Sequence, residues 1–145
     1  MTTATPLVNG QTIGLAHYAS RALLEIVLAR SGTTFNQSVA LRAVSDNGGT
    51  VERAWLVSRL TGTLKIDESA AHETVSEMTD AKLLEPAAGR VSLTDSGKEL
   101  FEGIRVGGNA IAARLYAGIT AEDLAIAGRV LTLVTERANT ELADA

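Results

Sequence analysis

The chain has 145 residues, one domain's worth, and its 46% hydrophobic and 21% charged residues exclude disorder or a membrane protein as the default. Aromatics are only 3% (Tyr18, Phe35, Trp55, Phe101 and Tyr116), too few to stack single-stranded nucleic acid on exposed rings and still furnish a core. There is no cysteine, which excludes disulfides, thiolate zinc and iron–sulfur sites and cysteine nucleophiles, and fits a cytoplasmic location. The net charge of −4 excludes a generally basic coat but leaves room for a local basic edge. No apolar run reaches the roughly 18 residues of a membrane span, and the first nine residues lack the basic start and apolar stretch of a signal peptide, so a soluble, unexported protein is expected.

Residues 1–10 carry Pro6 and Gly10 without periodicity and read as a tail. From Gln11, the apolar residues Leu15, Ala19, Ala22, Leu23, Ile26 and Val27 recur at three and four residues, which predicts a helix ended by Ser31-Gly32. A second helix is predicted from about Thr34 to Asn47, carrying Phe35, Val39, Leu41 and Val44. Thr50 then suits the N-cap of a short third helix ended by Gly62, and Asp67 the N-cap of a fourth reaching about Ala81. Together these two helices make a helix-turn-helix.

The next stretch changes in kind. Leu83-Leu84-Glu85-Pro86 and Arg90-Val91-Ser92-Leu93-Thr94 read as two short strands around a Gly89 turn, with Pro86 suited to an edge. A fifth helix starts at Thr94-Asp95-Ser96 and carries Leu100, Phe101, Ile104, Ile111 and Leu115, with Gly107-Gly108 marking a kink or a close helix crossing. Thr120 and Asp123 then resemble a capping box opening a last helix to about Ala143, where Leu124, Ala127, Leu131, Val134 and Ala138 follow a seam spacing.

The fold class predicted is therefore mainly α with a small two-stranded β-wing. It is a winged helix-turn-helix (34–98) between N- and C-terminal dimerisation helices (11–33 and 99–143), together forming one domain. Apolar helices at both ends predict a homodimer with two reading heads side by side.

The order of elements and several residues resemble the MarR-type (multiple antibiotic resistance) regulators, dimeric winged-helix proteins, from about Gln11 to Ala143. The best-matched segment runs through Leu64-Lys65-Ile66-Asp67-Glu68-Ser69, Val75, Met78 and Lys82-Leu83-Leu84-Glu85 to Val91-Ser92-Leu93-Thr94-Asp95-Ser96-Gly97. The family's strand ends in Leu-Thr with Gly three residues after the Thr, and Leu93, Thr94 and Gly97 match it. The resemblance implies that 67–81 is the recognition helix, 87–90 the wing tip and the terminal helices the dimer interface. It also implies a small effector, often aromatic or phenolic, held between the dimer helices and the winged-helix unit. The family wing commonly carries an Asp-x-Arg pair, whereas here only Arg90 remains, so the wing is short. The missing cysteines exclude the thiol-based sensing used by some members.

Charge is the second departure. Over residues 50–98 there are six Lys/Arg and eight Asp/Glu, a formal −2, and the recognition helix carries Asp67, Glu68, Glu73, Glu77 and Asp80 against His72 alone. Few phosphate contacts and a shallow salt slope are expected. Early recognition-helix positions make Ser69, Ala70, His72, Glu73 and Ser76 the candidates to face bases: Ala70 can meet a thymine methyl and Glu73 can accept from a cytosine amine. A solvated helix face is the alternative for His72 and the acids. Arg90 at the wing is a candidate DNA contact, and Arg53 and Lys65 are candidates either for phosphate contacts or for ion pairs with Glu52 and Asp67.

No catalytic constellation appears. His17 and His72 lie in separate helices without metal-ligand spacing, and Ser96-Gly97-Lys98 lacks the glycine a phosphate loop needs, Ser92 standing in its place. No enzyme, metal or cofactor is expected. The reading is a homodimeric transcriptional regulator, a repressor in kind, that binds a pseudo-palindromic double-stranded operator under a small aromatic effector. The alternative is a winged-helix protein-interaction module with weak or lost DNA binding, its acidic helix meeting a basic partner.

Overall fold

In the computed structural model, which describes residues 5–145, the Asn9 side chain accepts the Thr12 N–H at 2.8 Å and opens α1 (Gly10–Arg30). Thr34 and Gln37 close a reciprocal capping box at the start of α2 (Phe35–Asp46), so the turn between the two helices is short and fixed. β1 (Thr50–Glu52), α3 (Arg53–Leu64), α4 (Glu68–Asp80), β2 (Leu84–Ala87), β3 (Arg90–Leu93), α5 (Asp95–Leu115) and α6 (Ala121–Asp144) follow. The chain forms two compact units, one ending at Ile111 and the other Ala112–Ala145. No helix among the described residues is long and apolar enough to cross a membrane.

The first unit holds the core. Leu41 and Val44 of α2, Leu56 and Leu60 of α3, Val75 and Met78 of α4, and Leu84 and Val91 of the sheet are wholly buried together, so the helix-turn-helix and the wing share one apolar centre. Trp55, Leu83 and Leu100 pack on it, and the Arg42 guanidinium lies 5.7 Å from the centre of the Phe101 ring. On the solvent side of α5, Arg105 grips Glu102 with two hydrogen bonds of 2.9 and 2.6 Å, and that hydrogen bond holds the Glu102 carboxyl below its ordinary range.

Four expectations are corrected. The wing is part of a three-stranded antiparallel sheet of order β1-β3-β2, with Val51 opposite Val91 and Pro86 on the edge strand. Thr50 therefore caps no helix. It sits in β1, its hydroxyl 2.9 Å from that of Ser92, and α3 starts after Glu52 with no side-chain cap. Gly62 does not end α3, which runs to Leu64 and stops where Lys65 turns left-handed at φ +58°. The stripe expected on α1 is split in two. Leu28 is buried and Leu23, Leu24 and Val27 are half-buried, whereas Leu15, Ala19, Ala22 and Ile26 are exposed.

Gly107 marks a close helix crossing: a Cβ there would come within 2.8 Å of Val27 Cγ1 of α1. In the second unit, the Thr120 hydroxyl accepts the Asp123 N–H at 3.1 Å and opens α6. None of that helix is buried, and all of its seam residues, Leu124, Ala127, Leu131, Val134 and Ala138, are exposed.

Candidate nucleic-acid interface

The Asp67 carboxylate accepts the Ala70 N–H at 2.7 Å, satisfying a free donor at the start of α4 and lying near its positive end. Inside α4, Ala71, Thr74, Val75 and Met78 face the core, which leaves Ser69, His72, Glu73 and Ser76 exposed at three- and four-residue spacing on the opposite face. Ala70 is half-buried. With Glu73 and Glu77 it lines a cavity of ≈ 490 Å³ against Arg21 and Glu25 of α1 and the Phe35 ring of α2. In that cavity Arg21 pairs with Glu25 at 3.3 Å and stacks 4.0 Å from the centre of the Phe35 ring. His17 sits beside the same ring, with centroids 6.4 Å apart, in an aromatic setting and not among ligands. Glu77 is tied to α2 by the Gln37 amide at 3.2 Å, so one of the α4 acids has a structural partner.

The wing begins where the core ends. Ala88 and Gly89 both have positive φ, +52° and +78°, which makes a two-residue turn of the mirror-image kind and aligns β2 with β3. Arg90 is exposed beside it, opposite Glu52 across the β1–β3 register. The wing base is fixed by Thr94: its hydroxyl donates to the Lys82 carbonyl at 2.6 Å and accepts the Gly97 N–H at 3.0 Å, while its own N–H donates to the Leu83 carbonyl at 3.1 Å. A Cβ on Gly97 would overlap the Leu83 carbonyl oxygen. Leu-Thr followed by Gly three residues on is thus a strand-to-helix lock, and no phosphate loop is required to explain it.

The two remaining cations part company. The Lys65 ammonium donates to the Gly62 carbonyl at 2.6 Å and so caps the last turn of α3. Arg53 makes no ion pair with Glu52. Its guanidinium Nη2 donates to the Ser76 hydroxyl at 3.3 Å on the exposed face of α4, and its backbone N–H donates to the Gly89 carbonyl in the wing turn at 3.0 Å. The sequence offers Arg53 as a phosphate contact or an ion-pair partner and does not reveal its hydrogen bond to Ser76 on the α4 face. The available signal was that α4 contains neither Lys nor Arg. Among the described residues no group of three or more potential ligands stands together to hold a metal.

No protein-family model matches the chain, and no curated protein matches it. Solved structures do. Ligand-free NadR is similar with a TM-score of 0.78 at 16% identity, covering 92% of this chain and 98% of its own. The Mycobacterium tuberculosis MarR family protein Rv2887 in complex with DNA is similar with a TM-score of 0.67 at 22% identity, covering 89% and 98%. BpsR of Bordetella bronchiseptica, whose DNA binding is regulated by 6-hydroxynicotinic acid, is similar with a TM-score of 0.71 at 19% identity, covering 88% and 93%. The fold is that of the MarR-type winged-helix proteins.

Proposed function

We propose that this chain, with its MarR-type fold, is a homodimeric transcriptional regulator that binds a pseudo-palindromic DNA operator and acts by binding, not catalysis. The observation that carries the reading is the exposed polar face of α4 standing beside a short wing, in a fold that Rv2887 uses in complex with DNA. Ser69, His72, Glu73 and Ser76 are the groups for base edges, Arg53 joins them from α3, and Arg90 is the wing contact. Ala70 on the flank of the helix and Lys65 in its capping role are secondary candidates.

The dimer reading rests on apolar surface. Leu15, Tyr18 and Ile26 of α1 and Leu124, Leu131 and Val134 of α6 are large, exposed and regularly spaced, the pattern of faces that pair with another helix. In this reading 11–33 and 99–143 supply the dimerisation helices around the 34–98 reading unit. The ≈ 490 Å³ cavity supports an effector, because the Phe35 ring and the Arg21 guanidinium stacked on it give it a flat wall directly behind α4. A small aromatic effector there would bias the spacing of the two reading helices by population shift. The acid-rich α4 favours the second reading, a protein-interaction module whose partner is basic.

Fluorescence anisotropy on the DNA upstream of the protein's own gene, at low and moderate salt, separates the two. Binding at low salt with a particle of twice 15.1 kDa by light scattering is expected. No binding to any such fragment at low salt favours the module, and a monomer at micromolar concentration removes the paired-head geometry.

A further inference from the structure

We propose that Arg53 and Ser76 together form a guanine reader, so that the operator half-site carries a G·C pair at the position they face. This deepens the DNA-binding reading and rests on it. The 13 residues of α4 include no Lys or Arg, so a permanent cation on its exposed face must come from elsewhere. Arg53 supplies it. Its backbone is held at the wing by the Gly89 carbonyl, 3.0 Å away, and its side chain crosses from the start of α3 to Ser76 Oγ at 3.3 Å.

That hydrogen bond leaves the serine O–H free to donate. A hydroxyl has one O–H donor and two acceptor lone pairs; the guanidinium takes one lone pair, and the O–H can turn outward as a donor. Arg53 keeps further N–H donors in its planar fork beside it. The patch therefore presents donors side by side. In the major groove only guanine offers two adjacent acceptors, N7 and O6; adenine pairs its acceptor with an amine, cytosine offers an amine, and thymine sets a methyl beside its one acceptor. The Arg53 fork meets those amines donor against donor, and guanine alone gives both the fork and the serine O–H an acceptor.

Selection of bound duplexes from a randomised pool tests this on the full-length protein and on the Arg53→Ala, Arg53→Lys and Ser76→Ala variants. The wild type is expected to select guanine at one position in each half-site. Arg53→Lys, which keeps the charge and loses the fork, should lower that preference about tenfold or more with the salt slope unchanged. Ser76→Ala should lower it severalfold, and the other positions should keep their preferences. Arg53→Lys carries the test if Arg53→Ala fails to fold. A guanine preference that persists in both Arg53 variants overturns the proposal. So does a uniform loss of affinity in Arg53→Ala with a salt slope shallower by about one, which marks a phosphate contact. A wild type that selects no sequence at all overturns the DNA-binding reading, and this inference with it.

Discussion

The Leu83 carbonyl oxygen occupies the place where a Cβ on Gly97 would stand. The same carbonyl accepts the Thr94 N–H, so the link between α4 and the wing is pressed directly onto the first turn of α5. Backbone cannot yield as a flexible side chain can. Gly97→Ala is expected to cost about 3 kcal/mol of stability through overpacking, read by urea denaturation. A loss below about 0.5 kcal/mol, the range of ordinary surface changes, sinks this account.

At Gly107 two effects oppose each other. Alanine improves helix propensity by about 1 kcal/mol, but its Cβ would meet Val27 Cγ1 at 2.8 Å, and overpacking costs about 1–3 kcal/mol. Valine is stiff at χ1 and does not swing aside easily, so the clash should win by about 1 kcal/mol. Combining Gly107→Ala with Val27→Ala should recover part of that loss, and strict additivity in the double-mutant cycle contradicts the contact.

Ala88 sits in the wing turn at φ +52° with a side chain that this conformation disfavours. Left-handed backbone costs an L-residue about 1–2 kcal/mol, and glycine's greater unfolded-state freedom returns part of that. Ala88→Gly should stabilise the protein by about 0.5 kcal/mol in thermal or urea unfolding. Destabilisation would show that the Ala88 methyl contributes contacts that outweigh its backbone strain.

Arg90 stands exposed on the wing, opposite Glu52. Arg90→Ala should weaken DNA binding several-fold at low salt, flatten the salt slope by about one and leave thermal stability unchanged. Unchanged affinity removes the wing from the interface.

The helices, the turn chemistry and the Asp67 and Thr120 caps were legible because each is written within a few residues. β1 was not. It is three residues long, and its partner β3 lies some 40 positions further on, so no local periodicity marks Thr50–Glu52, and a threonine after two glycines suits a helix cap equally well. The α1 stripe shows a different limit: spacing reveals an apolar face but not whether its partner is this chain's own core, as for Leu28, or something outside it, as for Leu15 and Ile26. The role of Arg53 escaped because its contact with Ser76 crosses 23 positions and two elements.

The β1–β3 pairing also dictates how the reading unit comes apart. Joining Val51 to Val91 closes a loop that contains the whole helix-turn-helix, and the entropy of that closure is recovered only when α3 and α4 are packed inside it. The ladder and the helices then open as one cooperative block. Amide hydrogens bonded between β1 and β3 are expected to exchange through that larger opening, and those on the outer edge of β2, where Pro86 has no N–H, to exchange sooner. On this topology the tip of the wing is expected to loosen before its root, which opens with the core.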